Sequence, residues 1–236
     1  MIMDRLDQRE ILRYLGYKDT GITPQIQKLI DRCEKDALKI IEPKYMYERF
    51  NICHEPEGIH VDGTDLILKG QDIAAHLNGC KEIVLMGVTA GMVLDRWIRR
   101  YMISEPDAGV VLDSCGIQAV EQVADYVEKE IEERVLSEGY HLTWRFSPGY
   151  GDFPLETQRE LVRVLDLPRR IGVSLTENCL LVPSKSVTAV LGIYDPDIYL
   201  KDESNISALK SERKNNSCDF CNNKDRCLFR KRGTRC

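Results

Sequence analysis

The sequence predicts an α+β fold in which N-terminal helices precede a mainly antiparallel, twisted sheet flanked by further helices. Three observations carry this prediction. Apolar residues recur with helical spacing over residues 24–41 and again over 116–138. A turn signal at Asp62-Gly63 joins two short apolar runs, and several short alternating runs follow one another between residues 171 and 194.

Two helices are expected within the first forty residues. Thr23-Pro24 marks the start of the second one, with Thr23 as the N-cap and Pro24 in the first turn. Apolar residues then keep helical spacing until Pro43, and they are Ile26, Leu29, Ile30, Cys33, Ala37, Ile40 and Ile41. This region contains no chemical motif, so it serves packing or adapts the chain to a particular partner.

A hairpin is predicted over residues 58–70, turning at Asp62-Gly63. His60 lies between apolar neighbours, which favours a strand histidine over a metal ligand. A short helix is expected at Asp72–Leu77, and His76 is predicted to be a solvated residue on it. Lys81–Val88 follows as a buried strand.

The turn Thr89-Ala90-Gly91 then leads into a helix carrying Val93, Leu94, Trp97, Ile98 and Tyr101. A strand, a glycine turn and a helix also occur in Rossmann methyltransferases. The glycines here do not follow the Gly-x-Gly-x-x-Gly pattern, and no suitably placed acid follows the next strand, so that alternative is disfavoured.

The clearest predicted helix is Gly116–Glu138, with an apolar stripe on one face and Gly139 as its C-terminal glycine. The alternating run His141–Phe146 then breaks sharply at Ser147-Pro148-Gly149. Pro154 opens a further helix that ends near Pro168. A second hairpin is expected around residues 176–178, and Ser186–Tyr194 is predicted as a strand.

Composition indicates an ordinary soluble protein. The 236 residues are 43% hydrophobic and 30% charged, and the apolar runs are far too short to span a bilayer. The N-terminus lacks a secretion signal, which favours a cytoplasmic location. Residues 201–236 contain ten Lys/Arg and five Asp/Glu, a net charge of +5. The net charge of the whole sequence is −5, so the first 200 residues have a net charge of −10. An acidic body argues against nucleic acid as the partner.

The nine cysteines form two groups. Five lie in apolar surroundings and are expected to act as small hydrophobes: Cys33, Cys53, Cys80, Cys115 and Cys179. The others have the spacing Cys218-x2-Cys221-x5-Cys227-x8-Cys236, beyond a polar linker at 201–217. Four thiolates fit structural zinc or an iron–sulfur cluster, and the few apolar residues of the tail could not form a core without one. An unstructured, metal-free tail is the alternative.

Arg145 stands directly before the Ser147-Pro148-Gly149 turn. Proline fixes its own backbone and glycine permits φ values that other residues avoid, so the turn is stiff and its amides face one place. A guanidinium beside it can pair with a carboxylate in a bidentate fork, which fits a small zwitterionic ligand. The alternative is a surface arginine at the end of a strand.

These residues resemble a known family. Arg145-Phe-Ser-Pro-Gly-Tyr150, with Pro154 behind it, is similar to the Arg-x-x-x-Gly-Tyr adenosylmethionine motif of the activation domain of cobalamin-dependent methionine synthase. A second block of the family corresponds here to Thr176-Glu177-Asn178, Pro183 and Lys185–Val190. The resemblance covers about residues 80–200. We expect residues 1–78 and 79–200 to be two portions of one core domain, with the linker at 201–217 and the Cys-rich tail at 218–236 as an addition to the family pattern.

The resemblance also implies roles for individual residues. Arg145 would bind the carboxylate of S-adenosylmethionine, and Glu121 would bind its amino group. The turn from Ser147 through Gly149 to Tyr150 would supply backbone contacts around the adenosine. Tyr199 would line the site, although its spacing differs from the family's by about one residue.

The implied function is reactivation, in which adenosylmethionine and an external electron reductively methylate cob(II)alamin. This chain lacks the Asp-x-His-x-x-Gly cobalamin motif and any homocysteine-binding or folate-binding module. We therefore expect it to act in trans, on a separate corrinoid protein or methionine synthase subunit, with flavodoxin or ferredoxin as donor. Two alternatives stay open: a redox activator of another corrinoid methyltransferase that uses a tail cluster, and a non-catalytic regulatory protein.

Overall fold

The computed structural model describes residues 3–17 and 21–199. Its helices, in chain order, are α1 Gln8–Tyr14, α2 Pro24–Ile40, α3 Gln71–His76, α4 Met92–Ser104, α5 Pro106–Ser137, α6 Gln158–Val164, α7 Leu167–Arg170 and α8 Pro196–Tyr199. Its strands are β1 Lys44–Glu55, β2 Gly58–Val61, β3 Ile67–Leu68, β4 Glu82–Thr89, β5 His141–Leu142, β6 Ser174–Leu175, β7 Leu181–Val182 and β8 Ser186–Tyr194. The predicted α+β class is confirmed.

The strands form a six-stranded sheet with the order β3-β2-β1-β4-β8-β5 and a separate two-stranded sheet of β6 and β7. Antiparallel pairing joins β1 to β2, β2 to β3, β5 to β8 and β6 to β7. The hairpin predicted over residues 58–70 and the second hairpin around 176–178 are therefore both confirmed. Strand β8 has the bounds that the sequence predicts.

Two compact units share the chain. The first contains the described residues up to 46, together with 86–131 and 165–187. The second contains 47–85, 132–164 and 188–199. The division into portions 1–78 and 79–200 stays a prediction, and the linker 201–217 and tail 218–236 lie outside the described residues.

The helix signals in the sequence act as expected. The Thr23 side chain accepts a hydrogen bond from the Ile26 amide at 3.4 Å, and Pro24 occupies the first turn of α2. Ile30, Cys33 and Ala37 form the buried face of that helix. Within the first unit, α5 contributes a further apolar stripe that includes Ala108, Leu112, Cys115, Ala119 and Val123.

The structure corrects three predictions. His76 is buried, with 4% of its surface exposed, where the sequence predicts a solvated residue. Cys53 is exposed, because it falls on the open face of β1; the other four scattered cysteines are buried as expected. Helix α5 begins at Pro106, ten residues before the predicted start at Gly116.

No helix within residues 3–17 and 21–199 is both long enough and apolar enough to cross a bilayer.

Candidate functional site

The segment that carries Arg145 is held along β8. His141 pairs with Tyr194 and Leu142 with Ile193, and beyond β5 an isolated bridge joins Phe146 to Val190. The amide of each bridge residue donates to the carbonyl of the other at 2.9 Å. Arg145 thus directly precedes a residue whose backbone is fixed at both its amide and its carbonyl.

A compact turn follows the bridge. The Tyr150 amide donates to the Ser147 carbonyl at 3.1 Å, and the Gly149 amide donates to the Phe153 carbonyl at 2.8 Å. Gly149 has φ +95°, a conformation in which other residues are strained, so the glycine is needed for the backbone path. The predicted turn is confirmed, and the φ of Gly149 lies in the range that favours glycine.

Side chains along the turn differ in exposure. Arg145 and Ser147 are partly buried, Gly149 is exposed and Tyr150 has 61% of its surface exposed. An exposed aromatic residue and a partly buried arginine thus lie within six residues of sequence. That pairing fits a ligand with a flat ring system and a carboxylate.

Two aspartates tie the turn to α3 within the second unit. The Asp152 carboxylate accepts from the amides of Gln71 and Asp72 at 2.7 and 2.9 Å, and the Asp152 amide donates to the Asp72 carboxylate at 3.0 Å. These amide donors lower the pKa of Asp152 below its usual value. The contacts join residues 80 positions apart, and the sequence carried no local signal for them.

An aromatic cluster lies beneath the same segment. The rings of Trp144 and Phe146 lie 4.2 and 4.9 Å from that of His76, and the Phe153 ring lies 6.0 Å from that of Phe146. His76 Nε2 is hydrogen-bonded to Thr143 Oγ1 at 2.9 Å. Burial lowers the pKa of His76 to about 3, so this imidazole is neutral at pH 7 and acts as part of the packing.

The other predicted ligand residues occupy different places. Glu121 is a partly buried residue of α5 in the first unit. Burial raises the pKa of Tyr14 and the charge of Glu121 raises it further, while Arg13 opposes the shift. Tyr199 is the last residue of α8. The roles predicted for Glu121 and Tyr199 stay predictions.

The part of the second sequence block up to Val187 lies in the first unit, where several of its polar groups are paired. Lys185 Nζ lies 2.7 Å from Asp113, and the Lys185 side chain is only 12% exposed. The Ser184 amide and hydroxyl both donate to Asp95, at 2.7 and 3.0 Å. Ser186 donates to the Thr89 hydroxyl at 2.8 Å. These contacts give the block a structural role in fixing the start of β8.

The predicted tail ligands, Cys218, Cys221, Cys227 and Cys236, lie outside the described residues.

Comparisons with known proteins agree with the sequence resemblance. Residues 81–200 match the protein family described as vitamin B12 dependent methionine synthase, activation domain. The fold is similar to the crystal structure of the MetH reactivation domain bound to AdoHcy, with a TM-score of 0.58 and 16% sequence identity. That similarity covers 79% of this chain and 73% of the other.

A search of curated proteins gave no match. Because the structural relative is only 16% identical, it supports the fold, and the assignment of the family depends on the sequence match. That match covers half of the chain and contains the turn at 145–150 as well as the block at 176–190. The chain belongs to the family of activation domains of vitamin B12-dependent methionine synthase.

Proposed function

We propose that this protein binds S-adenosylmethionine at the turn 145–150 and supports the reductive methylation of cob(II)alamin on a separate corrinoid protein. The observation that carries the proposal is the conformation of the turn: a partly buried Arg145 precedes Gly149 at φ +95°, and hydrogen bonds fix the backbone between them. Family membership and the AdoHcy bound to the structural relative support the same ligand class.

Each residue of the turn has a proposed task. Arg145 pairs with the methionine carboxylate, where a guanidinium provides two parallel hydrogen bonds. Tyr150 offers its exposed ring to the adenine, and Ser147 and Gly149 allow the backbone to approach the ligand closely. By the family resemblance, Glu121 is the proposed partner of the amino group and Tyr199 a further residue of the site.

The proposed reaction needs one electron and one methyl group. An external donor of the flavodoxin or ferredoxin class reduces cob(II)alamin, and the methyl group moves from the sulfonium to the reduced cobalt, which leaves adenosylhomocysteine. The chain's own contribution is to bind and orient adenosylmethionine. The partner that provides the cobalamin is a methionine synthase subunit or a related corrinoid protein, and methionine biosynthesis in the cytoplasm is the proposed setting.

The tail cysteines belong to the proposal as a metal site. Cys218, Cys221, Cys227 and Cys236 fall within nineteen residues, a spacing suited to an iron–sulfur cluster or zinc. A cluster would let the tail supply the electron, whereas zinc has no redox chemistry and would make the tail a structural or docking module.

A reconstituted reaction tests the function. A methionine synthase lacking its own activation domain is prepared with cob(II)alamin and mixed with this protein, adenosylmethionine and reduced flavodoxin. The visible spectrum should change to that of methylcobalamin only when this protein and adenosylmethionine are both present. Arg145→Ala should abolish the change and the surface variant Arg163→Ala should keep it. Wild-type protein that binds adenosylmethionine but gives no methylcobalamin with any corrinoid partner would refute the proposed role.

A further inference from the structure

A cluster of potential metal ligands lies at the tip of the β1–β2 hairpin in the second unit. The imidazole of His60 and the carboxylates of Glu55 and Glu57 each contribute one ligand atom, and all three atoms lie within 4.8 Å of one another. None of these residues belongs to the turn proposed to bind adenosylmethionine. The sequence predicts that His60 is a strand histidine; the structure places it in β2 and adds the two carboxylates.

The hairpin geometry explains why the three side chains meet. Ile59 and Val61 are 2% and 1% exposed, so alternation along β2 points His60 to the opposite, open face. Glu55 pairs with Gly58 at the end of the ladder. Gly58 has φ +145°, and a Cβ there would lie 2.7 Å from the Leu68 carbonyl oxygen, so only glycine permits this tight turn. The turn folds Glu57 back towards His60.

The two separations that involve His60 fit a metal site better than a hydrogen-bonded group. His60 Nε2 lies 3.5 Å from a carboxylate oxygen of Glu55 and 3.5 Å from one of Glu57. Hydrogen bonds of this type are normally about 2.9–3.0 Å long. In a tetrahedral zinc site with bonds of about 2.1 Å, neighbouring ligand atoms lie about 3.4 Å apart.

The His60 nitrogen is also shielded and unsatisfied. Nε2 is buried from solvent and has no hydrogen-bond partner among residues 3–17 and 21–199, although the side chain as a whole is 33% exposed. Within the described part of the chain, neither Glu55 nor Glu57 pairs with a lysine or arginine. Two carboxylates that face a shielded nitrogen, with no fixed cation between them, form an arrangement that a divalent ion would stabilise.

We propose that Glu55, Glu57 and His60 bind a divalent metal ion of the zinc class. One imidazole nitrogen and two carboxylate oxygens are ligands that zinc accepts, and they leave a fourth position for water. The site is separate from the tail cysteines in sequence and in ligand chemistry. The alternative, a protonated His60 held between two glutamates, needs no metal and predicts no zinc binding.

The test must remove competing thiols, because Cys53 pairs with His60 across the strands and the tail has four more cysteines. The full-length protein is prepared with Cys53, Cys218, Cys221, Cys227 and Cys236 changed to serine and is stripped with a chelator. Zinc is then titrated against a chromophoric chelator. The expected result is one zinc per chain with a Kd in the micromolar range, about 8 kcal/mol of binding.

Variants in the same background locate the site. His60→Ala and Glu57→Gln should each weaken zinc binding by about tenfold or more, since even the loss of a supporting second-sphere contact costs about that much. His141→Ala removes an exposed histidine on β5 and should leave the affinity unchanged. X-ray absorption of the zinc-loaded background should show only nitrogen and oxygen neighbours at about 2.0–2.1 Å.

Two zinc-binding results would overturn the proposal. A background protein with no zinc affinity tighter than about 1 mM has no such site. Equal affinity in the background and in His60→Ala, with one zinc bound, would place the metal elsewhere. If His60→Ala fails to fold, Glu57→Gln decides, because Glu57 lies in an exposed turn and its amide replacement has nearly the same size.

Discussion

Asp72 and Asp152 cap each other across 80 residues of sequence. The Asp152 carboxylate accepts two hydrogen bonds from the first amides of α3, and the Asp72 carboxylate accepts one from the Asp152 amide. This reciprocal pair anchors the turn that begins at Arg145, because Asp152 lies two residues beyond Tyr150. The geometry of the candidate site therefore depends on a helix that no motif in the sequence connects to it.

Loss of this pair should loosen the turn. Asp152→Ala should destabilise the protein by about 1 kcal/mol, as expected for a lost N-terminal cap, and should weaken adenosylmethionine binding. The measurements are chemical unfolding at pH 7 and calorimetric titration. Asp65→Ala is the matched control, because Asp65 forms an exposed pair with Arg163 in the same unit and should change neither quantity measurably.

The contribution of Asp152 should also depend on pH. Its pKa is lowered in the folded protein, so the carboxylate stabilises the fold above its ordinary pKa of about 3.9, and this effect disappears as the pH falls through the folded value. The difference in unfolding free energy between wild type and Asp152→Ala should therefore be larger at neutral pH than at about pH 3. A constant difference would contradict the assigned role.

His76 should make the protein sensitive to mild acid. Burial lowers its pKa from 6.5 to about 3 in the folded state. As the pH falls below 6.5 the unfolded chain takes up a proton that the folded protein does not, so stability is full above that pH and declines by about 1.4 kcal/mol per pH unit below it. Glutamine does not titrate, so the stability of His76→Gln should not decline in this way below pH 6.5, although the variant is less stable than wild type at every pH. Parallel stability curves for the two proteins would contradict the prediction.

Gly149 should be required for its backbone conformation. Gly149→Val places a β-branched residue at φ +95°, which should cost about 1–3 kcal/mol and distort the turn enough to abolish adenosylmethionine binding. Space is not the limit, since an added Cβ would lie 3.4 Å from Leu155 Cδ1, an ordinary contact.

The control for this variant is Gly139→Val. Gly139 has φ +86° beyond the end of α5, and no atom of the described residues would lie within 4 Å of an added Cβ. The unfolding free energy should fall by a similar amount in both variants, and only Gly149→Val should fail to bind adenosylmethionine. Unchanged affinity in Gly149→Val would show that this turn does not hold adenosylmethionine.

The tail provides a separate prediction. Anaerobically purified protein should contain one metal centre bound by the four tail cysteines, and deletion of residues 210–236 should remove it while leaving adenosylmethionine binding unchanged. The metal content is measured by iron, sulfide and zinc analysis, and a visible spectrum is recorded. If protein kept anaerobic throughout contains neither iron nor zinc, the tail site is refuted. Iron together with sulfide would support electron delivery by the tail.

Local signals predicted much of the fold because they act within a few residues. Thr23-Pro24 marks the start of α2, and the strand predicted at Ser186–Tyr194 has the bounds of β8. The sequence does not predict strand β1, because seven of its twelve residues are exposed and its charged residues hide the alternation. Helix α5 begins at Pro106, ten residues before the predicted start at Gly116, and the additional segment includes Gly109. In the structure Gly109 permits close approach, since a Cβ there would lie 2.7 Å from the Met102 backbone nitrogen.

In the candidate site, too, the contiguous residues can be predicted from the sequence and the residues brought in by tertiary packing cannot. Arg145, Ser147, Gly149 and Tyr150 are contiguous, so their turn could be predicted from proline and glycine chemistry and from a family motif. The supports beneath the turn could not, because Asp72 and His76 reach it only through tertiary packing. His76 illustrates the difference: a six-residue helix gives no clear apolar face, and its burial depends on Thr143 and Trp144, which lie more than sixty residues away in sequence.

Calorimetric titration of adenosylmethionine into wild type and into Arg145→Ala shows whether Arg145 binds the carboxylate of the ligand. Wild type should bind one molecule per chain. The variant should lose about 2–4 kcal/mol, or roughly 30-fold to 1000-fold in affinity, because the ligand carboxylate loses its charged partner. Arg163→Ala, which removes an exposed guanidinium from α6, should bind as wild type does. Equal affinities for wild type and Arg145→Ala, or no binding by the wild type, would show that Arg145 does not hold this ligand.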